Sequence, residues 1–309
     1  MTSTTPTTRT TLADIATPEG TFAVVAMDQR NTLKRMYAAV GIDAPSHEEL
    51  VDIKADVISA LGGTASAFLL DPTFGTPALD LVGPRESRQF GVLVAAEPEV
   101  RPKYGDEPRP LRDPALNGQW VLDQGGTAVK FLIQTRADRP HAEGEPDLVA
   151  EAMDVVREVI EDCRVAGVPS VIENLIYPLP EEEALSPEAR ADAIIEAAVA
   201  FDALNPDLLK LEYPGSPEAC RRLAKSIKAP WAVLSAGVDF DVFTNVIKVS
   251  CDEGGASGFI AGRSVWKDAV GMERTARQAY LADEGKRRLD GCLSAMEGRA
   301  VPWNQVSGK

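Results

Sequence analysis

Histidine and cysteine are both scarce in this chain: 2 and 4 of 309 residues. His47 and His141 lie far apart in stretches expected to be loops. A zinc centre needs three or four His, Cys or carboxylate ligands held together, and no such set is visible, so zinc chemistry is not expected and no cofactor is called for. The cysteines (Cys163, Cys220, Cys251, Cys292) form no CxxC pair, and each falls in a helix-like segment. That pattern suits reduced structural thiols in a cytoplasmic protein. Basic residues are in deficit, 32 Lys and Arg against 47 Asp and Glu, for a net charge of −15. Nucleic acid, which demands basic stripes, is excluded as a partner. No apolar run is long enough to cross a bilayer, so no membrane partner is expected. Residues Met1 to Thr11 are rich in Thr and lack the apolar core of a signal peptide. Residues 1–20 read as a flexible leader, and 21–309 as one domain.

What is present is rhythm. Short apolar runs alternate with longer helical stretches. The runs are Phe22 to Asp28, Ser66 to Asp71, Gly91 to Glu97, Ala128 to Thr135, Ser170 to Tyr177, Leu208 to Tyr213, Trp231 to Gly237 and Gly258 to Val265. They are continuous rather than alternating, as parallel strands covered on both faces require. Helices are expected over His47 to Leu61, Asp147 to Ala166, Pro187 to Leu204, Pro217 to Lys228 and Asp239 to Glu253. Ser46, Ser186-Pro187 and Ser216-Pro217 provide start signals, and Gly62, Gly167 and Gly254 provide stops. Eight such units in a row imply an α/β fold, a (β/α)8 TIM barrel, with extra C-terminal helices between Met272 and Arg299. An open doubly wound sheet is the alternative, but no GxGxxG follows any strand.

Sites in such barrels gather at the C-terminal strand ends. The polar residues there are Asp28, Asp71, Glu97, Lys130, Glu173, Lys210, Glu212, Ser235 and Arg263. Lys210 stands inside the apolar run Leu208-Leu209-Lys210-Leu211. A buried ammonium tends to give up its proton, and a neutral amine is a nucleophile for ketones and aldehydes. Alternatively, its head simply reaches solvent. Side chains alternate along a strand, so Glu212 faces the same way as Lys210, with Arg30 or another cation as a possible partner. Asp28 and Asp71 also suit loop-ordering roles, Asp71 especially because Pro72 follows. Lys130 and Glu173 also suit a purely structural ion pair. The strand ends Leu234-Ser235-Ala236-Gly237 and Ala261-Gly262-Arg263-Ser264 are built to let a backbone approach an anion, with Arg263 adding a bidentate fork. The plain reading of Gly237 and Gly262 is tight turns alone.

Six segments together resemble one family. They are Ala26-Met27-Asp28-Gln29-Arg30, Phe68-Leu69-Leu70-Asp71-Pro72, Val129-Lys130-Phe131-Leu132, Leu209-Lys210-Leu211-Glu212, Val233-Leu234-Ser235-Ala236-Gly237-Val238, and Gly258 to Trp266. The chain is similar to the class I tagatose-1,6-bisphosphate aldolases and the related sulfofructose-1-phosphate aldolases over Thr21 to Lys267. The resemblance implies a TIM barrel that binds a phosphorylated ketose and assembles as a homo-oligomer. It implies Lys210 as Schiff-base lysine, Glu173 as acid/base, and Lys130 and Asp28 as supporting catalytic groups. It places Gln29, Arg30, Glu212, Ser235, Ala236, Gly237, Gly262 and Arg263 around the substrate. Pro214-Gly215-Ser216 leads straight into a helix where tagatose-type enzymes carry an insertion, so phosphate or sulfonate remains open at the sugar's far end. Arg30, Lys34, Arg101, Lys103 and Arg136 are candidate partners for that group. A phosphosugar sensor and a magnesium-dependent enolising lyase are the rival readings.

Overall fold

The computed structural model describes residues 9–180 and 182–306. The chain forms β1 (Phe22–Met27), β2 (Ala67–Leu70) and β3 (Gly91–Ala95), then a small hairpin of β4 (Lys103–Tyr104) and β5 (Glu107–Pro108). Five more strands follow: β6 (Ala128–Ile133), β7 (Ser170–Asn174), β8 (Leu208–Leu211), β9 (Trp231–Val233) and β10 (Gly258–Ala261). All but the hairpin close into a barrel in the order β1-β10-β9-β8-β7-β6-β3-β2, each neighbour parallel to the next. The eight expected strands are all present. Each stops one to four residues before its expected end, because the polar and glycine residues there turn away from the ladder. β9 ends at Val233, and the chain then bends through Ala236 (φ 49°) and Gly237 (φ 82°).

Side-chain alternation sorts the strands into two cores. Phe22, Val24, Ala67, Leu69, Leu93, Ala128, Val171, Leu208 and Ile260 fill the lower lumen. Their neighbours Val25, Phe68, Val94, Phe131, Ile172, Leu209 and Phe259 face the helices. Burying each of the Val, Leu, Ile and Phe side chains contributes roughly 1.5–3 kcal/mol. The lumen is therefore a packed plug below and leaves only its upper layers for polar groups.

The covering helices are α1 (Asn31–Ala39), α2 (His47–Leu61), α3 (Gly75–Val82), α4 (Gly118–Asp123), α5 (Leu148–Ala166), α6 (Pro187–Asp202), α7 (Pro217–Ser226) and α8 (Phe240–Gly254). Ser46, Ser186 and Ser216 each accept a hydrogen bond from the amide three residues on, so the start signals act as caps. α2 begins at His47 and ends at Leu61, the bounds expected for it. After the short α9 (Arg263–Trp266), the tail folds as α10 (Arg274–Tyr280), a π-helical turn (Leu281–Gly285) and α11 (Lys286–Met296). It is held to α2 by a buried pair, Arg277 with Asp56 at 2.6 Å. The four cysteines are buried and unpaired, and burial pushes the Cys292 thiol up to about 12. No described helix is long and apolar enough to cross a membrane.

The leader needs correction. Residues 1–8 lie outside the described part, but Leu12–Ile15 form a 3-10 turn whose Leu12 and Ile15 sit in the lower lumen core. Ser66 donates from Oγ to Ile15 O at 2.8 Å, and Trp303 N donates to Gly20 O at 2.9 Å. Residues 9–20 thus form part of the barrel's floor.

Candidate active site

Lys130 lies on β6, one layer deeper than Glu173 on β7, since Lys130 pairs in register with Val171 and Leu132 with Glu173. Its four-carbon stem lifts the ammonium to meet three carboxylates: Asp28 at 2.8 Å, Glu97 at 2.8 Å and Glu173 at 2.9 Å. Asp28 and Glu97 come from just beyond β1 and β3. Glu97 is further fixed by accepting from Leu132 N at 3.1 Å, and Asp28 by Gln29 Nε2 at 3.2 Å. Lys210 on β8 pairs in register with Glu173, and its Nζ stands 2.9 Å from Glu173 Oε2. Only 4% of Lys210 is exposed, against none of Lys130.

Burial opposes the charge on Lys130, but Asp28, Glu173 and Glu97 outweigh it and hold the ammonium more firmly protonated than an ordinary lysine. Burial would likewise raise the Asp28 carboxyl, yet Lys130 and then Lys210 keep it well below the usual range. Glu173 is lowered against the same burial by the same two lysines. The floor therefore carries a fixed ammonium beneath ionised carboxylates. Lys130 fills the space among them where a divalent cation would otherwise be sought.

Above this floor opens a cavity of about 550 Å³. Its lining includes Gln29, Arg30 and Arg35 from the segment after β1, Glu99 and Arg101 from after β3, Gln134 from after β6, and Ser235, Ala236, Gly262 and Arg263 from after β9 and β10. Arg30 donates to Glu97 O, Arg35 to Thr32 and Arg101 to Gln134. Among the described residues, none of Arg30, Arg35, Arg101 or Arg263 forms an ion pair. In a chain of charge −15, four arginines without an ion-pair partner thus gather around one cavity.

Both glycines in this wall are required by contacts within the protein itself. A Cβ on Gly262 would stand 1.8 Å from Ala26 O, and Gly237, at φ 82°, supports the Arg263 guanidinium. Gly237 does not itself line the cavity, and neither does Lys130; both sit behind residues that do.

Other expected positions resolve differently. Glu212 lines the cavity but pairs with Arg190 rather than Arg30, and accepts from Ile176 N at 2.9 Å. Burial raises its carboxyl above the ordinary value. Arg136 is excluded as a ligand group: it is buried, chelated by Asp138 and Glu182, and donates to Tyr177 O. Lys34 lies over the Phe74 ring and Lys103 on the hairpin, both outside the cavity lining. Asp71 orders its loop as expected, accepting from Thr73 N and Phe74 N. Its partner Lys54 was missed, as were Arg35, Glu99 and Gln134. Glu97, a polar strand end in the sequence and a candidate ligand in the magnesium-dependent reading, is one of the three carboxylates around Lys130. Lys54 did leave a signal, since it interrupts the apolar stripe Leu50, Val51, Val57 and Ile58 on α2.

Residues 22–268 match the family described as DeoC/LacD family aldolase. The chain belongs to that family. It is an aldolase, a carbon–carbon lyase, and is not a mere phosphosugar sensor. It is 27% identical to tagatose 1,6-diphosphate aldolase 2 of Streptococcus pyogenes serotype M1, the match covering 93% of this chain and 94% of that one. It is also 27% identical to tagatose 1,6-diphosphate aldolase of Staphylococcus epidermidis, over 94% of this chain and 95% of that one. Among solved structures, an archaeal fructose 1,6-bisphosphate aldolase superposes with a TM-score of 0.60 at 14% identity, covering 91% of this chain and 96% of that one. Cgl0159 from Corynebacterium glutamicum superposes with a TM-score of 0.62 at 14% identity, over 91% and 87%. The last two likenesses establish the fold of this aldolase.

Proposed function

We propose that this aldolase works through a Schiff base on Lys210. In this reading it cleaves a ketose 1-phosphate of the tagatose 1,6-bisphosphate or 6-deoxy-6-sulfofructose 1-phosphate type. The observation that carries this is Glu173 Oε2, which stands 2.9 Å from Lys210 and 2.9 Å from Lys130. A carboxylate so placed takes the Lys210 proton and, with Lys130 pinned as a cation, returns protons during turnover.

The free Lys210 amine adds to the C2 carbonyl. Glu173 protonates the resulting carbinolamine hydroxyl, which leaves as water and gives an iminium. Glu173, ionised again by that step, takes the C4 hydroxyl proton, and the C3–C4 electron pair flows into the iminium. An aldehyde departs, glyceraldehyde 3-phosphate or 3-sulfolactaldehyde, and an enamine remains. Protonation at C3 and hydrolysis release dihydroxyacetone phosphate and restore Lys210. Ser235, Gly262 and Arg263 hold the C1 phosphate, fixing C2 against the amine. Arg30, Arg35 and Arg101 meet the anion at the far end. The names of the streptococcal and staphylococcal relatives support a doubly anionic substrate.

The direct test is turnover of tagatose 1,6-bisphosphate, fructose 1,6-bisphosphate and 6-deoxy-6-sulfofructose 1-phosphate, read as release of dihydroxyacetone phosphate. At least one is cleaved, with activity undiminished by exhaustive EDTA. Release from none of them would sink the substrate class, and loss of activity with EDTA would favour the magnesium-dependent reading.

A further inference from the structure

Lys54 lies on α2, outside the barrel wall, yet it is fully buried. Its ammonium reaches the top of β1 and donates to Met27 O and, at 3.1 Å, to Gln29 O. Those are the carbonyls immediately before and after Asp28. Its third bond goes to Asp71 Oδ1 beyond β2, while Asp71 Oδ2 accepts from Thr73 N at 3.0 Å and Phe74 N at 2.8 Å. The three donors of one ammonium are thereby used on two strand ends. The surroundings of Lys54 otherwise argue against a lysine, because Leu50, Val51, Val57 and Ile58 on the same face are all core.

A methionine or leucine would fill that place more cheaply if packing were the only requirement. What the lysine adds is a clamp on the peptide unit that enters Asp28 and on the one that leaves Gln29, so the backbone is held on both sides of Asp28. Asp28 has one productive direction, toward Lys130 at 2.8 Å, with Lys210 as the next positive charge around it. It sits at a strand end where the ladder no longer holds the backbone, since β1 stops at Met27. The clamp substitutes for the ladder there.

We propose that Lys54 is a positioning residue for the aldol reaction, acting through the backbone on either side of Asp28. The proposal rests on Asp28 serving the Lys210 chemistry described above. Asp71 ties the clamp to β2 and opposes the burial that draws the Lys54 ammonium below its ordinary value.

The test is a double-mutant cycle on the full chain, using Lys54→Met and Asp28→Asn singly and together. kcat is measured per active site, with sites counted by borohydride trapping on Lys210, and KM and melting temperature are recorded alongside. Lys54→Met lowers kcat in the native background roughly 10- to 100-fold, the scale of a misplaced catalytic group, with a smaller change in KM. In the Asp28→Asn background it lowers kcat less than about twofold, because the residue it acts through is already gone. Equal loss in both backgrounds, or a lowered melting temperature with kcat per site unchanged, overturns the proposal. Should Lys54→Met not fold, Asp71→Asn replaces it in the same cycle: it keeps an acceptor for the loop amides but leaves the clamp without its counter-charge. The same two outcomes then decide. Failure to trap wild-type protein at Lys210 would instead strike the Schiff-base reading. Sites are then counted by native mass, and the cycle still reports whether Lys54 and Asp28 are coupled.

Discussion

Lys210 Nζ stands 2.9 Å from Glu173 Oε2 because β8 and β7 are paired with these two residues directly opposite one another. The contact is thus written into strand register, not into loop conformation. A slip of one residue would turn either side chain to the helix-facing side, among Ile172, Leu209 and Leu211. In the proposed mechanism nucleophile and proton carrier are thus held by paired strands, while the proposed anion grips lie on the loops above them.

Replacing Lys130 with methionine leaves Asp28, Glu97 and Glu173 facing one another without their shared cation. Breaking a buried pair in this way costs about 3–5 kcal/mol. In the native protein Asp28 and Glu173 are lowered, so their stabilising contribution is present above the ordinary carboxylate range and is lost as pH falls through their folded values. Without Lys130, burial dominates and protonation relieves the cluster instead. Urea unfolding at several pH values should show the deficit of Lys130→Met largest near neutrality and shrinking toward about pH 4. A deficit independent of pH contradicts this.

Two glycines separate function from folding. Gly262→Ala puts a methyl 1.8 Å from Ala26 O, a backbone atom of β1 that has no room to yield. The expected outcome is a loss of about 3 kcal/mol or more, or insoluble protein. Gly237→Ala instead meets the movable Arg263 guanidinium at 3.0 Å, with the cost of a left-handed alanine roughly 1–2 kcal/mol. That variant folds, and its KM rises about tenfold or more, the loss of one charge-assisted hydrogen bond. A Gly237→Ala enzyme with unchanged KM would remove Arg263 from the phosphate grip.

Arg101, held by Gln134 at 2.7 Å, lines the cavity from the segments after β3 and β6, which lie across the barrel from β9 and β10. Arg101→Gln should therefore weaken cleavage of doubly anionic ketoses about tenfold in kcat/KM, while cleavage of fructose 1-phosphate barely changes. Equal loss on both substrates would place Arg101 outside the far-end anion site.

The sequence displayed the barrel clearly because each strand is a continuous apolar run and each helix carries a local cap such as Ser46 or Ser186. Lys130, Glu173 and Lys210 stood out for the opposite reason, as charges inside those runs. What stayed hidden depends on distant pairing. Nothing near Glu212 in the chain indicates Arg190, which approaches from α6. Arg136 looked like a free cation until Asp138 and Glu182 closed on it. The floor formed by Leu12 and Ile15 was invisible because two apolar residues in a polar leader carry no periodicity. Lys54 was legible in principle, as the single charge on the stripe between Leu50 and Ile58, but its target lies on another strand end.

The central claim is that a covalent bond forms between Lys210 and the ketose. Sodium borohydride added during turnover reduces that bond and fixes it for peptide mass spectrometry. The adduct is expected on the peptide carrying Lys210, in proportion to activity lost, and is expected to be absent from Lys210→Met protein, which is inactive. An adduct on another lysine, or full cleavage by Lys210→Met with no adduct at all, would contradict the account.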